Sequence, residues 1–170
     1  MFQIGDHVYY ASGGVCYVAD VCYAPLSGMQ KDKQYYVLRS MHDGNSVMYV
    51  PVQSETVFLR ALLAREAAES LLERIGEIEE IEEPNAKALK MKYIEAMRQH
   101  DPAEWVRVIK TVNGRIRKLA EHSKTQRISD TERSFAEDAK RYLYMELSLT
   151  LEVPMEEMEK QIRARVEQLA

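Results

Sequence analysis

The chain has 170 residues, 46% of them apolar, with 23 Lys and Arg against 27 Asp and Glu and a formal net charge of −4. That length holds one sizeable domain or two small ones, and the apolar share lies well above the disordered range. The near-neutral charge gives no global nucleic-acid signature, no apolar run reaches the roughly 18 residues of a membrane span, and the N-terminus lacks a charged-then-apolar signal pattern, so a cytoplasmic protein is expected.

From residue 1 to about 60 the pattern is that of β-structure. His7–Tyr10, Val15–Ala24, Gln34–Leu38, Ser46–Val50 and Val57–Arg60 are rich in Val, Tyr and Met and are separated by Gly13-Gly14, Pro25–Gly28 and Asp43-Gly44. Asp43-Gly44 reads as a hairpin turn, because glycine accepts the positive φ such turns need. Five short strands in so few residues predict a small, strongly bent sheet closing as a five-stranded barrel of the SH3 or Tudor kind. The interior of so small a barrel is filled by side chains, which favours partner binding over catalysis. Cys16 and Cys22 have the same parity, so on one regular strand they would face the same side; they match no zinc or C-x-x-C spacing and read as small buried hydrophobes. Tyr9, Tyr10, Tyr17, Tyr23, Tyr35, Tyr36 and Tyr49 read as barrel residues with wet hydroxyls rather than as a cation-binding cage.

Beyond Leu62 the apolar period becomes helical. A helix over about Ala64–Ile75 leads into Glu77, Glu79, Glu80, Glu82, Glu83 and Pro84, expected to be an exposed connection, and a second helix covers about Asn85–Arg98. Asp101-Pro102-Ala103-Glu104 carries the start signals of a third, whose stripe runs through Trp105, Val108, Ile109, Val112, Ile116 and Leu119. Ser129-Asp130-Thr131-Glu132 is a capping box opening a fourth helix to about Thr150, with Phe135, Ala139, Tyr142, Leu143 and Leu147 inward. Pro154 starts a fifth, carrying Met158, Ile162, Val166 and Leu169. The expected fold is therefore α+β, a β-module over residues 1–60 and an all-α bundle over 61–170.

Charge separates these parts. Residues 64–83 hold eight Glu (66, 69, 73, 77, 79, 80, 82, 83) against Arg65 and Arg74, a net of −6. Residues 84–127 hold eleven bases (Lys87, Lys90, Lys92, Arg98, Arg107, Lys110, Arg115, Arg117, Lys118, Lys124, Arg127) against Glu95, Asp101, Glu104 and Glu121, a net of +7. Lys87 and Lys90 open the second helix, and Arg115, Arg117, Lys118, Lys124 and Arg127 crowd the end of the third and the following loop. Such a cluster suits backbone phosphates, with salt-sensitive and sequence-independent affinity; the bland alternative is a solvated face with cations near a helix C-terminus. Trp105 opens the apolar stripe and reads as core rather than as a stacking residue. His7, His42, His100 and His122 are scattered, and no G-x-S-x-G, P-loop or H-E-x-x-H occurs. No catalytic residue, metal site, cofactor or small-molecule substrate is expected.

Phe2-Gln3-Ile4-Gly5-Asp6-His7-Val8-Tyr9-Tyr10, then Gly14 to Val18, Tyr35-Tyr36-Val37-Leu38 and Val50-Pro51-Val52 resemble the RNA-polymerase-interacting module of the CarD/CdnL transcription regulators, which also occurs in transcription-repair coupling factor. The resemblance continues through Tyr93–Met97, the Asp101 cap, Ile128-Ser129 with Glu132, and Leu143–Leu147 with Glu146, and favours the short stand-alone regulator. It implies a bacterial, nucleoid-associated protein whose first module binds the RNA polymerase β subunit. Its helices would contact promoter DNA, largely at the backbone, and stabilise the open complex. Positions that carry arginine in some members correspond to Ala24 and Tyr49; with Tyr23 and Val47 these are the expected polymerase-binding residues. The tryptophan that members often place near the start of helix two is replaced by Asn85-Ala86-Lys87. The expected DNA-binding residues are Asn85, Lys87, Lys90, Arg115, Arg117, Lys118, Lys124 and Arg127. The competing expectation is a protein-interaction adaptor of the same fold without productive DNA contact.

Overall fold

A computed structural model describes residues 1–168, so Leu169 lies outside the described residues. The chain divides into a unit of Met1–Leu62 and a second beginning at Leu63. The first is a sheet of β1 (His7–Tyr10), β2 (Gly14–Tyr23), β3 (Gln34–Ser40), β4 (Val47–Pro51) and β5 (Leu59–Ala61), in the order β4-β3-β2-β1-β5 with every neighbour antiparallel. The expected barrel does not close. The three residues of β5 are all paired with β1, an irregular segment separates β5 from β4, and both remain edges. Val8, Cys16, Val18, Tyr36, Leu38 and Val50 form the core of this unit, and Phe2, Val52 and Val57 pack against it from outside the strands.

A bulge in β2 overturns the expected side-by-side cysteines. Val18 faces Leu38 and Asp20 faces Val37, so Ala19 has no partner and the inward parity changes. Cys16 and Val18 point into the core before the bulge, and Val21 packs on it afterwards. Cys22, next to Val21, therefore lies on the opposite face from Cys16. The β3–β4 connection rests on Asp43 rather than on the glycine after it: the carboxylate accepts from the Asn45 N–H at 3.1 Å and from the Ser46 hydroxyl at 2.6 Å.

The second unit contains α1 (Arg65–Arg74), continued by a single 3₁₀ turn Ile75–Glu77, then α2 (Ala86–Arg98), α3 (Pro102–His122), α4 (Asp130–Leu151) and α5 (Met155–Glu167). Three of the starts, those of α2, α3 and α4, carry side-chain caps. Asn85 accepts from the Ala88 N–H, Asp101 from the Ala103 N–H with Pro102 next to it, and Ser129 and Glu132 complete a reciprocal capping box. The core joins Leu72 and Ile75 to Tyr93, Trp105, Val108, Ile109, Val112, Ala139, Leu143, Leu147, Met158, Ile162 and Val166, all buried. Trp105 is fully buried, its ring centroid 5.5 Å from that of Tyr142.

Two expectations change here. The acidic stretch after α1 is not a free connection but is fastened to α3. The Ile81 N–H donates to the Thr111 hydroxyl at 2.8 Å, Ile81 is buried, and the Lys110 ammonium donates to the carbonyls of Ile75, Gly76 and Ile78. The stripe of α3 also leaves the core early: Val112 is buried, whereas Ile116, one turn later, is 47% exposed.

Candidate functional site

In the first unit the candidate surface is built by β4. As an edge strand it pairs only with β3, so one side of its backbone is open to another strand. Val47, Tyr49 and Pro51 share one face of β4 and stand opposite Arg39, Val37 and Tyr35 of β3. Val47 and Tyr49 are among the exposed large hydrophobics, so the edge offers backbone groups and apolar side chains together.

The four expected polymerase-binding residues do not all converge there. Val47 and Tyr49 are together. Ala24 follows β2 with the parity of Cys22, hence of the Tyr49 face, and its N–H reaches the Lys33 carbonyl at 3.5 Å. Tyr23, paired with Gln34, has the opposite parity and is 63% exposed beside Met1, Lys33 and Val52. The tyrosines as a whole divide between the two faces. Tyr36 points to the core side, its hydroxyl accepting from the Phe2 N–H at 2.9 Å, and Tyr35 is buried on the other, so no single cage forms.

In the second unit the basic segment separates into cations already engaged and cations left to solvent. Lys110 is buried on three carbonyls. Arg115 Nε meets Glu132 Oε1 at 2.6 Å, and the Tyr93 hydroxyl donates to the same oxygen at 3.2 Å. Arg117 and Lys118 share one carboxylate, that of Glu80, at 4.0 and 3.9 Å. Glu80 can lie so close to α3 because residue 114 is glycine: a Cβ there would stand 2.5 Å from the carboxylate. Lys92 pairs with Glu83, and Arg107 with Glu104. Glu83 is held below the usual carboxylate range, first by the Asn85 N–H and then by Lys92.

Asn85 is exposed but its side chain serves as the α2 cap, so it is a helix-start residue before it is a ligand for anything else. Lys87, Lys90, Lys124 and Arg127 are exposed and carry no ion pair among the described residues. Of the eight expected DNA-binding residues, four are thus unengaged, two are weakly paired, one is a cap and one, Arg115, is an internal strut. Sequence alone could not distinguish them, because Glu80 and Glu132 come from distant segments. Among the described residues no three His, Cys, Asp or Glu side chains come together as metal ligands would, and no helix is long and apolar enough to cross a membrane.

Residues 2–63 match the family model of the CarD-like/TRCF RID domain. The N-terminal unit is a CarD-like domain of this type, with an RNA-polymerase-interacting role. No curated protein matches the chain.

Proposed function

We propose that the chain is a transcription regulator whose N-terminal unit docks on the β subunit of RNA polymerase through the open edge and apolar face of β4. The helical unit contacts promoter DNA at the phosphates and biases the equilibrium between closed and melted promoter. The observation that carries the docking is an unpaired strand edge bearing exposed Val47 and Tyr49 within a domain of the polymerase-interacting family. Strand addition to such an edge supplies main-chain hydrogen bonds for affinity and side-chain contacts for specificity. No catalytic step is required. A ligand favouring one of two states shifts their ratio by its differential affinity, about 1.4 kcal/mol for each tenfold change.

The DNA contact rests on Lys87 and Lys90 at the start of α2, with the weakly paired Arg117 and Lys118. An adaptor without productive DNA contact remains the second reading, favoured by the diversion of Arg115, Arg117 and Lys118 to carboxylates.

The test measures retention of purified polymerase by the full chain and by Val47→Glu and Tyr49→Glu, together with open-complex lifetime. Both variants should lose polymerase while keeping the parent's thermal transition, because the side chains are exposed. Unchanged retention moves the docking surface away from β4. Intact docking with no effect on lifetime selects the adaptor.

A further inference from the structure

The apolar stripe of α3 continues past the point where the core ends. Ile116 and Leu119 stand three residues apart on the helix face that carries Val112, yet Ile116 is 47% exposed and Leu119 half-buried. With buried Ile128 they line a groove of about 500 Å³ between the last turns of α3 and the start of α4. Lys124, Arg127 and Arg133 also line it, and none has an ion pair among the described residues. Its single lining carboxylate, Glu137, is already met by Lys140 at 3.2 Å. The groove therefore combines an aliphatic floor with three unneutralised cations.

We propose that this groove binds an acidic, amphipathic protein segment, an apolar side chain seating against Ile116 and Leu119 and carboxylates meeting Lys124, Arg127 and Arg133. The charge on the rim calls for an anionic partner, and the floor calls for an apolar group carried by that same partner. An acidic helix or strand provides both, whereas duplex phosphates leave the floor unfilled. A nucleobase finds no aromatic platform, since the groove lining contains no Phe, Tyr or Trp. The assignment does not depend on polymerase docking through β4; it takes Lys124 and Arg127 out of the DNA surface and gives them a protein ligand.

The test is fluorescence anisotropy of the full chain with a labelled peptide of about four helical turns, leucines at helical spacing and glutamates elsewhere. A scrambled peptide of the same composition and a labelled duplex oligonucleotide are the other probes. The patterned peptide should bind at least about tenfold more tightly than the scrambled one, the size of effect a well-seated interface side chain gives. Ile116→Asn, at an exposed position, and the triple variant Lys124→Glu, Arg127→Glu, Arg133→Glu should each weaken it by a similar factor, with helical content unchanged. Duplex binding should be indifferent to Ile116→Asn, which removes the apolar contact without placing a new charge beside Arg117. Equal affinity for both peptides, or no response to Ile116→Asn, overturns the proposal. So does loss of duplex binding in the triple variant with peptide binding intact, which makes the groove a nucleic-acid surface.

Discussion

Arg115 and Glu132 meet at 2.6 Å across α3 and α4, and the Tyr93 hydroxyl of α2 donates to the same carboxylate oxygen. Glu132 also completes the capping box with Ser129. One side chain thus joins three helices and starts one of them. Burial first, and then the neighbouring Glu132 carboxylate, push the Tyr93 hydroxyl far above its ordinary range, so it stays a donor at any physiological pH.

Glu132→Ala should destabilise the helical unit by about 1–3 kcal/mol, since it strands the Tyr93 hydroxyl and Arg115 and removes half the cap. Urea unfolding followed by circular dichroism measures this. Arg115→Ala should likewise lower stability. A DNA defect in Arg115→Ala with an unchanged midpoint would return this residue to the nucleic-acid surface.

Trp105→Ala should cost about 3–5 kcal/mol, the range for deleting a large buried aromatic. Its ring is fully buried against Tyr142, so Trp105→Phe, which keeps an aromatic partner at smaller volume, should cost less. Thermal unfolding of the two variants gives the order. An alanine variant as stable as the parent would mean that the indole contributes no packing.

The elements were legible where the determinants lie close together in the chain. Asp101-Pro102 and the Ser129 to Glu132 box mark helix starts within one turn, and each cap forms as read. What depends on distant pairing was not legible. Strand alternation gives Cys16 and Cys22 one face, but the Ala19 bulge appears only when Val18 and Asp20 are set against successive residues of β3. Barrel closure requires β4 and β5 to meet, which local β-propensity does not encode. The basic cluster was visible as a count of charges. Which of them are free was not, because Glu80 lies more than thirty residues from Lys118, and Glu132 joins the start of α4 to α3.

The two cysteines should differ sharply in reactivity. Burial pushes the Cys16 thiol up to about 11, whereas Cys22 is only half-buried on the other face of the sheet. Because Cys16 is held neutral by the fold, its contribution to stability is complete below the unfolded value of 9.0 and fades as the pH rises through about 11. At pH 8, iodoacetamide should modify Cys22 first, with Cys16 following only on unfolding; peptide mass spectrometry against time resolves the order. Equal rates in the native protein would place Cys16 in contact with solvent.

Charge changes on either side of the basic surface should move DNA affinity in opposite directions. Lys87 and Lys90 are exposed and unpaired, so Lys87→Gln with Lys90→Gln should weaken promoter binding alike across sequences. The log–log salt dependence should flatten by about 0.9 for each phosphate that is no longer neutralised. Glu80→Gln should do the reverse, because one carboxylate now restrains both Arg117 and Lys118. Those pairs are long and half in water, so removing them costs about 0–1 kcal/mol of stability while releasing two cations. Binding to a labelled promoter fragment over a range of salt, with and without polymerase, reads both changes, and tethering by polymerase should make them larger. If neither variant alters the slope, the surface is a solvated helix face and the adaptor reading stands.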